Sequence, residues 1–150
     1  MEFFKSVIVP CLCISVSSIA FSIEFNIHGK KLIFATLGGT LAWIVYLLSS
    51  GIYANDIPQY FLGAIAISVY SEILARINKV PATVYLAISI IPLVPGGEIY
   101  HTMVAFISGN GDVFLQKLMY TFGIAGAIAL GVFAVTSIFR IIAFVRIKKI

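Results

Sequence analysis

The chain has 150 residues, of which 61% are hydrophobic and only 11% charged, and its mean hydropathy is +1.08. Set against an apolar share of roughly half in soluble domains, these values exclude a soluble domain and mark an integral membrane protein, with length for one compact bundle. The net charge of +4 gives no case for nucleic acid, because the basic residues flank apolar runs, the pattern of topology signals and headgroup contacts.

Five spans fit the sequence, giving an all-α membrane protein with a single domain over residues 1–150. Each is near the roughly 20 residues that a spanning helix needs. The first runs from about Ser6 to Ile27. Lys5 and Ser18-Ile19-Ala20 resemble parts of a signal peptide, but the apolar pattern continues to about Ile27, which suits a retained span. Cys11 and Cys13 are two apart and face different ways on a helix. They are read as packing or lipid-facing residues, not a disulfide or a soft-metal pair. Glu24, near the span's end, snorkels to the headgroups or pairs with Lys30 or Lys31.

The second span runs from about Leu32 to Tyr53. It carries Gly38, Gly39 and Thr40, and paired small residues permit close helix approach. Trp43 is too central for an interfacial belt and is read as packed against a neighbour or lining a cavity. The third span runs from Ile57 to about Ile77. Ala64, Ser68, Ser71, Glu72 and Ala75 share one side at helical spacing, a small and polar stripe expected to turn away from lipid. Glu72 has Arg76 four residues on, at ion-pair spacing. Two readings are open: an interfacial anchor, or a carboxylate facing a substrate path.

The fourth span, Pro81 to Ser108, contains Pro92, Pro95, Gly96 and Gly97 in its middle. Each proline removes a backbone donor and clashes one turn back, and the glycines free the chain to take positive φ. Two half-helices are expected, about 81–91 and 98–108, with an unwound elbow at Pro92–Gly97. Each half is roughly 16 Å long, and together they match a hydrocarbon core of about 30 Å. Irregular backbone at that depth is tolerated only where protein or a water-filled cavity surrounds it, and in transporters broken helices hold the substrate or coupling ion. The alternative is an ordinary structural turn. Glu98, just past the elbow, is expected to lie deepest of the carboxylates. It serves either proton coupling or capping of the second half-helix. Glu98-Ile99-Tyr100-His101 has the E-x-x-H spacing of di-metal bundles. With one copy only, metal binding is not expected, and His101 is read as pore-lining or packed.

The fifth span runs from about Leu118 to Val145. Gly123, Ala127 and Gly131 recur every four residues, a ridge for close packing within the chain or with a partner. The links carry turn chemistry: His28 to Lys31, Asn55-Asp56 with Pro58, Arg76 to Pro81, and Gly109-Asn110-Gly111-Asp112. Lys30, Lys31, Arg76, Lys79, Arg140, Arg146, Lys148 and Lys149 fall at one set of span ends, and only Lys5 and Lys117 at the other. By the positive-inside rule the N-terminus is expected outside and the C-terminus in the cytoplasm.

Ser71-Glu72-Ile73-Leu74-Ala75-Arg76, Val80-Pro81-Ala82-Thr83 and Ile90-Ile91-Pro92-Leu93-Val94-Pro95-Gly96 resemble the C-terminal half of the threonine/serine exporter family, over nearly the whole chain. The resemblance implies a multi-pass exporter of the bacterial inner membrane for threonine- and serine-type amino acids or dicarboxylates. It implies a larger partner subunit equivalent to the family's N-terminal half, so that this chain resembles the smaller subunit of a two-component exporter. Pro92, Pro95, Gly96 and Glu72 match the family pattern, whereas Glu98 and His101 are not clearly part of it.

The residues themselves show no nucleotide-binding loop, metal cluster or nucleophile–base set. The expectation is therefore a secondary transporter without cofactor, not an enzyme, driven by an ion gradient, with a homo-oligomer left open. Its pathway would run past Glu72, Pro92, Pro95, Gly96, Gly97, Glu98 and His101. The rival is a non-transporting scaffold subunit of a membrane complex.

Overall fold

A computed structural model describes residues 7–53 and 55–147 of the chain. Lys5, Lys148 and Lys149, the start of the first expected span at Ser6, and the side chain of Arg146 lie outside the described residues. The described chain is helical: α1 (Val9–Glu24), α2 (Lys30–Ser50), α3 (Asp56–Asn78), α4 (Thr83–Ser89), a 3-10 turn (Ile91–Leu93), α5 (Gly96–Ile107) and α6 (Gly111–Ile147).

Local chemistry accounts for most of the ends. Asn55 caps α3 by accepting from the Ile57 N–H at 3.2 Å, and Asp56 places negative charge in its first turn, where the helix dipole favours it. At the other end Lys79 takes a left-handed φ of 52° while the Val80 N–H donates to the Ala75 carbonyl. Pro81 then prevents continuation. Gly29 and Gly109 supply the positive φ that begins α2 and separates α5 from α6.

Among the described residues three helices are long and apolar enough to cross a membrane: Lys30–Ser50, Asp56–Asn78 and Gly111–Val145. A fourth crossing is reached if Thr83–Leu93 and Gly96–Ile107, bent by 51°, act as one broken span. The described residues thus account for three or four of the five expected spans. The first expected span is represented by α1, which has 16 residues, about 24 Å, against a core of about 30 Å. Residues 25–27 fold into a turn, with the Ile27 N–H donating to the Ser22 carbonyl at 2.8 Å.

The fourth and fifth expected spans also shift. α5 begins at Gly96, so Gly96 and Gly97 are helical and neither takes positive φ. The bend is made earlier, by extended Val94 and by Pro95 at φ −40°, ψ 55°. α6 begins at Gly111, seven residues before the expected Leu118, and Gly109 is the one residue of that link with positive φ. With 37 residues, α6 is about 56 Å long.

α3 and α6 run side by side in the same direction. Asp56 meets Tyr120 at one end and Arg76 meets Phe139 at the other. Between them a Cβ placed on Gly131 would stand 3.0 Å from both Ala64 Cβ and the Phe61 carbonyl oxygen. Ala42, Ala64, Ile67, Leu93, Ile124 and Ile128 form the principal core. The small stripe of α3 faces inward: Ala64, Ser68, Ser71 and Ala75 are buried and Glu72 half-buried. Large apolar side chains cover the outside instead, Leu48 and Phe133 among them, as suits a lipid-facing surface. Helices in lipid associate through small residues and hydroxyls, and the buried Ser68 accordingly donates to the Ala64 carbonyl within its own helix at 2.7 Å.

Candidate functional site

The elbow lies in the interior. Its Leu93 is fully buried and would touch a Cβ on Gly63 at 3.1 Å. Gly63 is about a third of the way along α3 and Ala42, in the same core cluster as Leu93, near the middle of α2. Irregular backbone therefore sits well inside the length of its neighbours and is enclosed by protein, as membrane depth requires.

The glycine pair of α2 is what lets the elbow approach. A Cβ on Gly38 would fall on Ser89 Oγ, and one on Gly39 would stand 2.5 Å from Ser18 Oγ and 3.5 Å from Pro92 Cγ. Ser18 and Ser89 are fully buried, and their hydroxyls have no hydrogen-bond partner. Beside them Ser15 and Thr40 join α1 to α2 at 2.9 Å. Gly38, Gly39 and Pro92 thus share one location, to which the structure adds Ser18 and Ser89.

Glu98 opens a second, more polar location. Asp56, Glu98, Gln116, Lys117 and Tyr120 line a cavity of about 400 Å³. Tyr120 Oη donates to Asp56 Oδ2 at 2.8 Å. Lys117 Nζ stands 3.6 Å from Glu98 Oε2, an ion pair beyond hydrogen-bond distance. Behind the cavity Trp43 stacks on Tyr46 at 5.0 Å and Tyr46 meets Tyr60 at 4.9 Å. The sequence places Glu98 deepest, but the structure sets it level with Asp56, the first residue of α3. The physical cause is the early break: α4 and its 3-10 turn end at Leu93, level with Gly63, and the chain then climbs through Val94 and Pro95 before α5 starts.

The first turn of α5 is open. The Gly96 N–H bonds to the Val94 carbonyl and the Ile99 N–H to the Pro95 carbonyl, leaving Gly97 and Glu98 between them with the free donors of a helix start. No atom beyond the chain neighbours lies within 4 Å of a Cβ built on Gly96 or Gly97.

The remaining candidates stand apart from both locations. Glu72 pairs with Arg76 at 3.6 Å. Arg76 also donates to the Phe139 carbonyl at 3.2 Å and lies 4.8 Å from the centre of the Phe139 ring. This cluster clasps α3 to α6 at the end opposite Asp56. His101 is exposed on α5, edge-on to Tyr100 at 5.5 Å. It is not among the residues that line the polar cavity. Among the described residues no three His, Cys, Asp or Glu side chains are grouped to hold a metal. On α6, Gly131 and Ala127 are buried, and Gly123 would meet Ile57 Cδ1 at 3.2 Å.

Asp56, Gln116, Lys117 and Tyr120 are the residues that sequence reasoning passes over. Asp56 reads as turn chemistry and Lys117 as a topology charge. Their shared end of the bundle is the signal that could have joined them. A family model described as Threonine/Serine exporter, ThrE matches residues 10–138, which is most of the chain. No curated protein and no solved structure matches.

Proposed function

The chain belongs to the threonine/serine exporter family, and we propose that it is the membrane subunit of a proton-coupled secondary transporter exporting small polar metabolites. Threonine- and serine-type amino acids, or dicarboxylates, are its cargo. A larger membrane subunit works with it in a bacterial-type inner membrane, with the N-terminus outside and the C-terminus in the cytoplasm. The observation that carries this reading is the broken span itself: a 51° bend enclosed among helices, followed directly by a polar cavity. A helix that merely crosses lipid has no use for an interior elbow, whereas alternating access needs irregular backbone beside the cargo.

Access alternates around the Pro92–Gly97 elbow, α5 moving relative to the α3–α6 pair. Glu98 carries the coupling proton or meets the substrate amine, and the open N–H groups at the start of α5 receive a carboxylate. Glu72, held by Arg76 in a clasp away from the cavity, is the weaker candidate for either role. Lys30, Lys31, Arg76, Lys79 and Arg140 belong to one end of the helices and Lys117 to the other, which supports the orientation.

The test is efflux of threonine, serine and succinate from vesicles of controlled orientation, containing this chain with and without the larger subunit. Efflux that requires both chains and collapses with a protonophore is expected. Full efflux from the larger subunit alone would make this chain a scaffold and leave the elbow with a purely structural part.

A further inference from the structure

Glu98 and Lys117 satisfy each other poorly. Their charged atoms are 3.6 Å apart, and Glu98 Oε2 is buried without a hydrogen-bond partner. A buried acceptor left without a donor is costly. Of the two carboxylates in the cavity, Asp56 already accepts the Tyr120 hydroxyl at 2.8 Å. The Glu98 carboxylate therefore remains under-satisfied beside the partly exposed Lys117, on the wall of a cavity of about 400 Å³, a volume within the roughly 300–1,000 Å³ of small-molecule pockets.

Resting on the exporter reading, we propose that Glu98 and Lys117 are the two poles of a zwitterion site, each standing in for the ligand's opposite charge while the site is empty. An α-amino acid enters by splitting the pair. Its ammonium takes the place of Lys117 Nζ at Glu98, and its carboxylate takes the place of Glu98 at Lys117, beside the open N–H groups at the start of α5. The largely buried Glu98 carboxylate thus keeps a positive partner at either stage. A dicarboxylate can satisfy Lys117 but sets a second negative charge against Glu98, so Glu98 is the residue that favours zwitterions. Asp56, engaged by Tyr120, takes no direct part.

The experiment uses the full chain in nanodiscs for binding and, with its larger subunit, in vesicles for transport. Trp43 is the single tryptophan of the chain. It stacks on Tyr46, which meets Tyr60 in turn, and its fluorescence is followed alongside isothermal titration calorimetry, which measures occupancy. The probes are L-threonine, 3-hydroxybutyrate (threonine without its ammonium), L-threonine methyl ester (without its carboxylate charge) and succinate. Glu98→Gln is expected to weaken threonine about 10- to 100-fold, the scale of one charged hydrogen bond, and not to weaken 3-hydroxybutyrate, which no longer competes with Glu98 for Lys117. Lys117→Gln is expected to weaken threonine and 3-hydroxybutyrate alike and not to weaken the methyl ester. Glu98→Gln should also erode the preference for threonine over succinate. Exchanging the charges, Glu98→Lys with Lys117→Glu, preserves the pair and serves where a single variant fails to reconstitute; it is expected to recover threonine binding. Wild-type threonine affinity in both single variants, equal losses for threonine and 3-hydroxybutyrate in Glu98→Gln, or no recovery in the exchange overturns the assignment. A wild-type complex that moves succinate but not threonine overturns it too, with the exporter reading intact, whereas one that moves no probe refutes the exporter reading itself.

Discussion

Replacing Gly38 with alanine tests whether the elbow is held by backbone approach. A Cβ there would fall on Ser89 Oγ and lie 3.0 Å from both Ser89 Cβ and Tyr70 Cε1. Tyr70 cannot swing aside freely, because its hydroxyl donates to the Phe34 carbonyl at 2.7 Å. Alanine in mid-helix gains about 0.5–1 kcal/mol over glycine, while overpacking a filled interior costs about 1–3 kcal/mol. Gly126→Ala isolates the first effect, since nothing lies within 4 Å of its Cβ position. The helix gain cancels between the two variants, and Gly38→Ala should be the less stable by about 1–3 kcal/mol. The assay is unfolding by SDS in mixed micelles, followed by Trp43 fluorescence. Adding Ser89→Ala removes the hydroxyl that clashes and should recover part of the loss. Alone, Ser89→Ala should be neutral or slightly stabilising, because that hydroxyl is buried without a partner. Equal stability of Gly38→Ala and Gly126→Ala, or no recovery with Ser89→Ala, would refute the reasoning.

Three further substitutions probe the frame around the elbow, each read by the same unfolding assay. Gly131→Ala meets the Phe61 carbonyl at 3.0 Å and the Ile65 nitrogen at 3.4 Å. Backbone cannot step aside as a side chain can, so a loss of about 1–3 kcal/mol is expected, only partly relieved by Ala64→Gly. Tyr120→Phe removes the hydroxyl that serves Asp56 at 2.8 Å and should cost about 1.5–3 kcal/mol, the range for a charged acceptor. In an Asp56→Asn background that cost should shrink, and an undiminished cost would show that the hydroxyl acts elsewhere. Arg76→Lys keeps the charge but gives up the reach to the Phe139 carbonyl and ring, at about 0.5–1 kcal/mol. It should cost more than Glu72→Gln, which opens only a partly exposed pair worth about 0–1 kcal/mol.

The helices that sequence locates well are those whose stops are local. Asn55-Asp56 at the start of α3 and Lys79-Val80-Pro81 at its end are short-range signals, and both ends lie within a residue of expectation. The poorly located ends are those where glycine misleads. Gly96, Gly97 and Gly111 read as breaks, yet all three are helical. Val94 and Pro95 make the elbow, and Gly109 supplies the positive φ of the second turn. Glycine permits a left-handed φ without requiring it, so composition marks the neighbourhood of a turn and not its residue. The polar cavity was legible only in part. Glu98 stands out by charge in an apolar run. Its companions do not, because Asp56 and Tyr120 are 64 residues apart and no helical period links them. Hydropathy encodes how deep a residue lies and says nothing of which residues share that depth. What joins Asp56, Glu98 and Lys117 is the parallel course of α3 and α6, together with an elbow that returns the chain to the level where α3 begins. Charges that a topology count sets aside as end markers are therefore the ones to compare across helices: at one end they clasp α3 to α6, and at the other they surround a cavity.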